Sequence, residues 1–370
     1  MKRHFYLALC LIGCSVVLSA CAAEELPSPT TVAEAVARHM QPLIEDGRIV
    51  GAAVAVVQDG EATPFFFGEV KQGSGERPDG DTMWEIGSIS KVFTGTLLAL
   101  LSQEGMLKLE DPVQPVLAGL AYGEGDAGPV FTLAQLAEHS SGLPRLPDNK
   151  KPADPANPYA DYTVDDLYAF LAKHKLRRAP GEAHEYSNLG VGLLGHVLAL
   201  KAGRSYEDLL REKLLVPLHM NDTAVTLTEV QEARMAKPYA QGGKPASNWD
   251  IPTFAGAGGL RSSLNDMTRF LLAAMGDAPE PLEKAFALAQ EPRFKVGENV
   301  QIGLCWMITE SSTPGSPPLI WHNGGTGGYA SFVGFRQDGS LGIVVLCNTA
   351  ERAIDQAAVE IMRDIHEITN

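Results

Sequence analysis

Apolar positions change spacing twice along the chain, and the changes divide it into three stretches. From Thr31 to Asp46, Val32, Val36, Met40, Leu43 and Ile44 recur at helical spacing, and Gly47 can end the helix. Two strand patterns follow, Val50–Val57 and Thr63–Val70, with Asp59-Gly60 between them as a hairpin turn. Helical spacing then dominates from Ser88 to about Ala289, predicting helices over 88–104, 132–138, 163–173, 187–202, 205–215, 263–275 and 281–289. Thr163-x-x-Asp166 and Ser263-x-x-Asp266 carry capping signals at two of these starts. Strand patterns return at 301–309, 318–322, 329–336 and 341–347, and a last helix is expected over 351–366.

Strands at both ends of a helical middle predict an α+β fold: one mainly antiparallel sheet flanked by helices, with a large helical insertion. Residues 31–85 and 295–370 would supply the sheet part and 86–294 the helical part. Short turns such as Asp338-Gly339 favour antiparallel neighbours. The segment Leu143–Tyr162 holds Pro144, Pro147, Pro152, Pro155 and Pro158, so it reads as a stiff irregular loop. A loop that long in a compact domain often borders a site, although a merely decorative insertion reads nearly as well.

Composition narrows the class. Of 370 residues 45% are hydrophobic and 20% charged, enough apolar material for a sizeable core. The formal charge of −15 argues against a nucleic-acid partner, which a basic face would have to serve. The N-terminus, Met1-Lys2-Arg3-His4 followed by an apolar run from Phe5 to Ala20, reads as a secretory signal over 1–20. Its end, Leu18-Ser19-Ala20-Cys21, resembles the lipobox of bacterial lipoproteins, which implies that Cys21 carries a lipid anchor to the membrane of the cell envelope, with 21–30 as a tether. Leu11-Ile12-Gly13-Cys14 also fits, with a shorter apolar region; an ordinary cleaved signal or an uncleaved anchor are the blander readings. Cys305 and Cys347 lie in strand-like runs, where a disulfide or two buried free thiols are both open readings.

Chemistry concentrates first at Glu85-Ile86-Gly87-Ser88-Ile89-Ser90-Lys91. Ser88 opens an apolar helix and Lys91 falls three residues on, on the same face. A serine hydroxyl needs a nearby base, and a desolvated lysine can serve. Alone, Ser-x-x-Lys arises by chance roughly once in a chain this long, as a helix cap followed by a surface lysine. Tyr186-Ser187-Asn188 follows about a hundred residues later: a phenol can act as general base and an amide can orient a carbonyl, while a packed tyrosine at a helix start is the plain reading. His322-Asn323-Gly324-Gly325 closes a short strand; its glycines would admit a substrate to the strand edge, or simply make a tight turn. Gly325 could offer an N–H opposite that of Ser88 as an oxyanion hole.

The order Ser-x-x-Lys, Tyr-x-Asn, His-x-Gly resembles that of the penicillin-recognising serine enzymes, and the Tyr-Ser-Asn form resembles their class C β-lactamase and DD-peptidase branch. Phe131 to Pro144, Pro180-Gly181, Pro217 to Met220, Gly258 to Ser262 and Val344 to Asn348 are similar to further segments of that family, so the resemblance covers roughly 31–366. It implies a serine acyl-hydrolase that cleaves β-lactam or D-Ala-D-Ala-like amides through an acyl-Ser88 intermediate, without a cofactor or metal. Lys91 would be proton acceptor or relay, Tyr186 general base, and Asn188 the group that positions the substrate amide. Ser88 and Gly325 would supply the oxyanion hole, and Asn323 and Gly324 would lie beside the substrate. The resemblance puts His322 where class C β-lactamases carry Lys, and Asn323 where they carry Thr. Members with His at that place include esterases and D-aminopeptidases, so these activities form a second expectation. A non-catalytic envelope binding protein is the third.

Other signals are weaker. His139 matches a segment of the family and is expected to hold the loop that starts at Ser140. His174, His184 and His196 lack the paired spacing of a zinc site. Gly-x-Gly-x-x-Gly occurs at Gly123-Gly125-Gly128 and Gly190-Gly192-Gly195, but neither copy sits between a strand and a helix, so nucleotide binding is not expected. The Gly-x-Ser-x-Gly elbow is absent, which argues against an α/β-hydrolase.

Overall fold

The computed structural model describes residues 28–117, 130–311 and 315–369. The expected signal, Cys21 and the Gly123-Gly125-Gly128 pattern lie outside or largely outside them. Eight antiparallel strands form the main sheet. Their order across it is Glu61–Gly68, Gly51–Gln58, Leu341–Cys347, Ala330–Arg336, Leu319–Gly325, Met307–Thr309, Val300–Ile302 and Phe294–Lys295. The N-terminal hairpin therefore docks on the C-terminal strand, Val54 opposite Val345. Its turn takes positive φ at both Asp59 and Gly60, the twist-matched geometry that Asp-Gly favours.

Alternation along the strands sorts side chains between two cores. Ala52, Val54 and Val56 join Ile343, Val345 and Cys347 against the helices Val32–Glu45 and Ala353–Thr369. Ala53, Ala55 and Val57 join Val344 and Leu346 on the other face, beneath the helical bulk of the molecule. Cys347 and Cys305 thus belong to different cores, and both are free and buried. Burial pushes each thiol up to about 12.

The helix Ser90–Gln103 is buried on every side from Ser90 to Leu101, as a helix apolar all round must be. It packs against Asn188–Ala202, Ala255–Gly258 and Leu282–Gln290. A one-turn 3-10 segment, Gly87–Ile89, leads into it. Caps follow the sequence signals: Thr163 and Asp166 form a reciprocal box. At Ser263 the box is half made, because Asp266 turns its carboxylate to the N–H groups of Asp222 and Thr223 instead. Among several departures from the periodicity, the helix expected over 205–215 is an α-helix Tyr206–Leu210 continued by a π-helix Arg211–Leu215. The run 301–309 is two strands, broken where Cys305 adopts φ 67°. A second sheet, unforeseen in the sequence, pairs Met83–Glu85 with Arg261–Ser263, Glu85 opposite Arg261.

Candidate active site

Three segments distant in sequence meet at the end of the buried helix. Gly87 holds φ 49°, and a side chain there would put its Cβ 2.6 Å from the Gly325 nitrogen, so turn and strand end touch backbone to backbone. Gly324 is just as constrained, since a Cβ would fall onto the carbonyl oxygen of Ile86. Ser331 reinforces the junction, its hydroxyl donating to Ile86 O at 2.8 Å. The result is a narrow cavity lined by Gly87, Ser88, Asn188 and Gly325, with Tyr159, Trp249, Ile251, Phe254, Ala257 and Gly258 as its other walls. A larger cavity of about 570 Å³, between Val225 and Arg261, shares the wall Ile251 with it and contains none of the motif residues.

Lys91 is fully buried, an environment that lysine almost never occupies unless paired. Its Nζ donates to Ser88 Oγ at 3.1 Å and to the carbonyl of Ala257 at 2.6 Å. The Ser88 side chain is partly open to the cavity. Tyr186 leans over the same ammonium, its ring centre 4.9 Å from Lys91 Nζ and 5.1 Å from the Arg145 guanidinium. Asn188 begins the helix Asn188–Ala202, capped by Ser187, and its buried Oδ1 has no partner. An unpaired buried acceptor beside Ser88 is a ready hydrogen-bonding group for a ligand.

His139, at φ 57°, fastens the tyrosine segment: its Nδ1 accepts from the Ser187 N–H at 3.1 Å, and its ring lies 4.4 Å from that of Tyr186. Burial first, then the Lys91 charge, hold its pKa well below the usual histidine value.

His322 is 2% exposed and its ring centre is 6.3 Å from that of Tyr186. Nδ1 lies 2.6 Å from the carbonyl oxygen of Asn323. A carbonyl only accepts, so Nδ1 carries the proton and Nε2 is left as a buried lone pair without a partner. Desolvation, then the Lys91 charge, depress the ring's pKa to about 3, so His322 is neutral at physiological pH.

Asn323 alternates to the opposite face of its strand, where its Nδ2 donates to Asp355 at 2.6 Å. Of the predicted site residues Ser88, Asn188 and Gly325 line the cavity, and Asn323, Gly324, Lys91, Tyr186 and His322 are not among its walls. Sequence reasoning missed the walls Trp249, Ile251 and Phe254, whose shared position only folding creates, whereas Tyr159 lies in the proline-rich loop 143–162 for which bordering a site was one reading. It also missed Arg145, although Arg145 follows the Gly-Leu-Pro segment directly. Arg352 was missed too: its exposed guanidinium donates to Gly324 O at 3.2 Å beside Gly325.

Comparison with known proteins gives the family and the fold. The Beta-lactamase family model matches residues 36–366. A beta-lactamase of Pseudomonas fluorescens is 28% identical over 354 residues, covering 86% of this chain and 94% of that protein. The D-alanyl-D-alanine-carboxypeptidase/endopeptidase AmpH of Escherichia coli (strain K12) is 27% identical over 360 residues, covering 94% of this chain and 91% of its own. The crystal structure of D-alanine carboxypeptidase AmpC from Burkholderia cenocepacia matches with a TM-score of 0.77 at 26% identity, over 90% of this chain and 98% of that one. The chain belongs to the Beta-lactamase family and is a serine hydrolase on the class C β-lactamase and DD-peptidase scaffold.

Proposed function

We propose that Ser88 is the acylated nucleophile for β-lactam or D-Ala-D-Ala-like amide bonds. The observation that carries this reading is the 3.1 Å contact between Lys91 Nζ and Ser88 Oγ at the foot of a cavity. Relatives named beta-lactamase and D-alanyl-D-alanine-carboxypeptidase/endopeptidase support the substrate class. In acylation the Tyr186–Lys91 pair, starting one proton short of phenol plus ammonium, takes the Ser88 proton as Oγ bonds to the carbonyl carbon. The N–H groups of Ser88 and Gly325 take the oxyanion, usually among the largest catalytic contributions. Collapse breaks the C–N bond, and the leaving nitrogen collects the proton. Water, deprotonated by the same pair, then hydrolyses the acyl ester. Asn188 Oδ1 accepts from the substrate amide N–H.

Intact mass after incubation with a penicillin is expected to show one acyl adduct, abolished by Ser88→Ala. No adduct with any β-lactam would remove the β-lactam half of the reading.

A second reading, an esterase or D-aminopeptidase, is favoured by the neutral His322. A ring without charge offers a substrate carboxylate no ion pair, so uncharged acyl substrates lose less here than in a site with a lysine. A panel of a penicillin, a D-Ala-D-Ala peptide and an aryl ester separates the two by their kcat/KM values. We further infer that the enzyme is exported and held to the membrane through lipidated Cys21. In that case Cys21→Ala is expected to move the protein from the membrane to the soluble fraction, and unchanged partition would remove the lipid anchor.

A further inference from the structure

Three residues before Ser88 stands a carboxyl that the acyl-transfer scheme does not use. Glu85 ends the strand Met83–Glu85 and is 3% exposed. Its Oε1 accepts from the backbone N–H of Trp249 at 2.7 Å. Its Oε2 and the hydroxyl of Thr326 are buried and close to one another, but no well-formed hydrogen bond joins them. A native structure rarely leaves such groups unpaired, and each exception calls for a physical reason.

The contacts of Glu85 run to three walls of the cavity. Its own chain continues through Ile86 into Gly87 and Ser88. Trp249 is a wall, and Thr326 follows Gly325, another wall. We propose that Glu85 is a positioning residue for acyl transfer. In its neutral form Oε2–H donates to Thr326 Oγ while Oε1 keeps the Trp249 N–H, so one side chain fixes the nucleophile turn, the Trp249 wall and the Gly325 strand end together. Ionised, it sets a negative charge behind the N–H groups that face the oxyanion, and acylation slows. The inference rests on Ser88 and Gly325 having the roles given above.

Its surroundings place the change between the two forms in an accessible range. The charged and titratable groups facing it are Arg261 across the strand pair, Asp250 in the following loop, and Tyr329, whose hydroxyl also approaches Asn248. Desolvation outweighs the help that Thr326, the Trp249 N–H and Arg261 give the anion, Asp250 opposes it further, and the carboxyl is raised to about 7. The neutral form therefore prevails below about 7 and is lost above it.

Glu85→Gln reproduces the neutral form, since its amide can accept from Trp249 and donate to Thr326, but it cannot ionise. With the aryl ester as probe, kcat/KM of wild type and variant should agree at pH 6. They should separate as pH rises to 8.5, wild type falling on the order of tenfold relative to Glu85→Gln, as expected for one unit charge near the oxyanion. Superimposed profiles overturn the proposal. A readout free of turnover is the Trp249 emission, taken as wild type minus Trp249→Phe, which should titrate near pH 7 and cease to titrate in the Glu85→Gln background. Should the protein turn over no acyl substrate, the reading of Ser88 fails, and an emission flat across pH 6–8.5 then overturns the role of Glu85 separately.

Discussion

At His322 a single ring decides how the site treats charge. The ring is enclosed, its Nδ1–H is committed to Asn323 O, and Lys91 lies near enough to oppose a second cation. Replacing it by lysine introduces that second cation beside Lys91 and beside the Tyr186 ring. His322→Lys is expected to lower kcat/KM for a neutral aryl ester. It should also shift the penicillin-to-ester ratio at least tenfold toward the carboxylate-bearing penicillin, about the worth of one partly screened charge pair. Steady-state kinetics on both substrates check this, and an unchanged ratio would sink the electrostatic account. The residue type was legible in the sequence. An unperturbed histidine, with a pKa of about 6.5, is already mostly neutral at pH 7. What the sequence did not show is how far below that the neutral form extends, because burial and the Lys91 charge lower the pKa to about 3 only in the folded site. Asn323 teaches a related lesson: its place next to His322 in sequence sends its side chain to the other face of the strand, to Asp355.

The element that follows Ser88, the proposed nucleophile, and carries Lys91 is the helix Ser90–Gln103, held in place at Gly95, where a Cβ would drive into the carbonyl of Leu304. Gly95→Ala is expected to destabilise the fold by about 1–3 kcal/mol through overpacking, read by urea unfolding. It should also lower kcat, because the helix cannot shift without moving Lys91 away from Ser88. Equal stability and equal kcat would show that the helix has room to yield. Helical spacing in the sequence located this helix well. The reading of 301–309 as one strand passed over Gly303, whose N–H closes a turn onto Trp306 O at 2.8 Å, with Cys305 at φ 67° inside that turn. The pairing of Met83–Glu85 with Arg261–Ser263 was hidden, since two three-residue segments far apart carry almost no periodicity.

Across the whole molecule, buried ionisable groups set how stability follows pH. His322 has its folded pKa depressed to about 3, so the unfolded chain binds a proton below about 6.5 that the native state refuses. Stability from this group is complete above about 6.5 and is lost as pH falls toward 3. Glu85 acts in the opposite sense. Its folded pKa is raised from 4.5 to about 7, so the native state holds the extra proton and stability falls as pH rises through that window. Glu85→Gln should therefore match wild type near pH 4.5 and exceed it by up to about 3 kcal/mol at pH 8, the linkage value of such a shift. Urea unfolding at a series of pH values measures this, and a pH-independent difference would contradict it.

Taken alone, the sequence determined most of the long helices and strands, the antiparallel α+β architecture with its helical middle, and the motif residues Ser88, Lys91, Tyr186, Asn188 and His322. These are written in local spacing and in ordered motifs, which need no long-range contact to be read. Tertiary structure decided which of them share a cavity, which walls enclose it, and which groups carry charge there. Desolvation and close backbone approach are properties of assembled layers. The depressed pKa of His322, the buried Lys91 and the half-paired Glu85 therefore exist only once the sheet, the buried helix and the Trp249 loop have closed on one another.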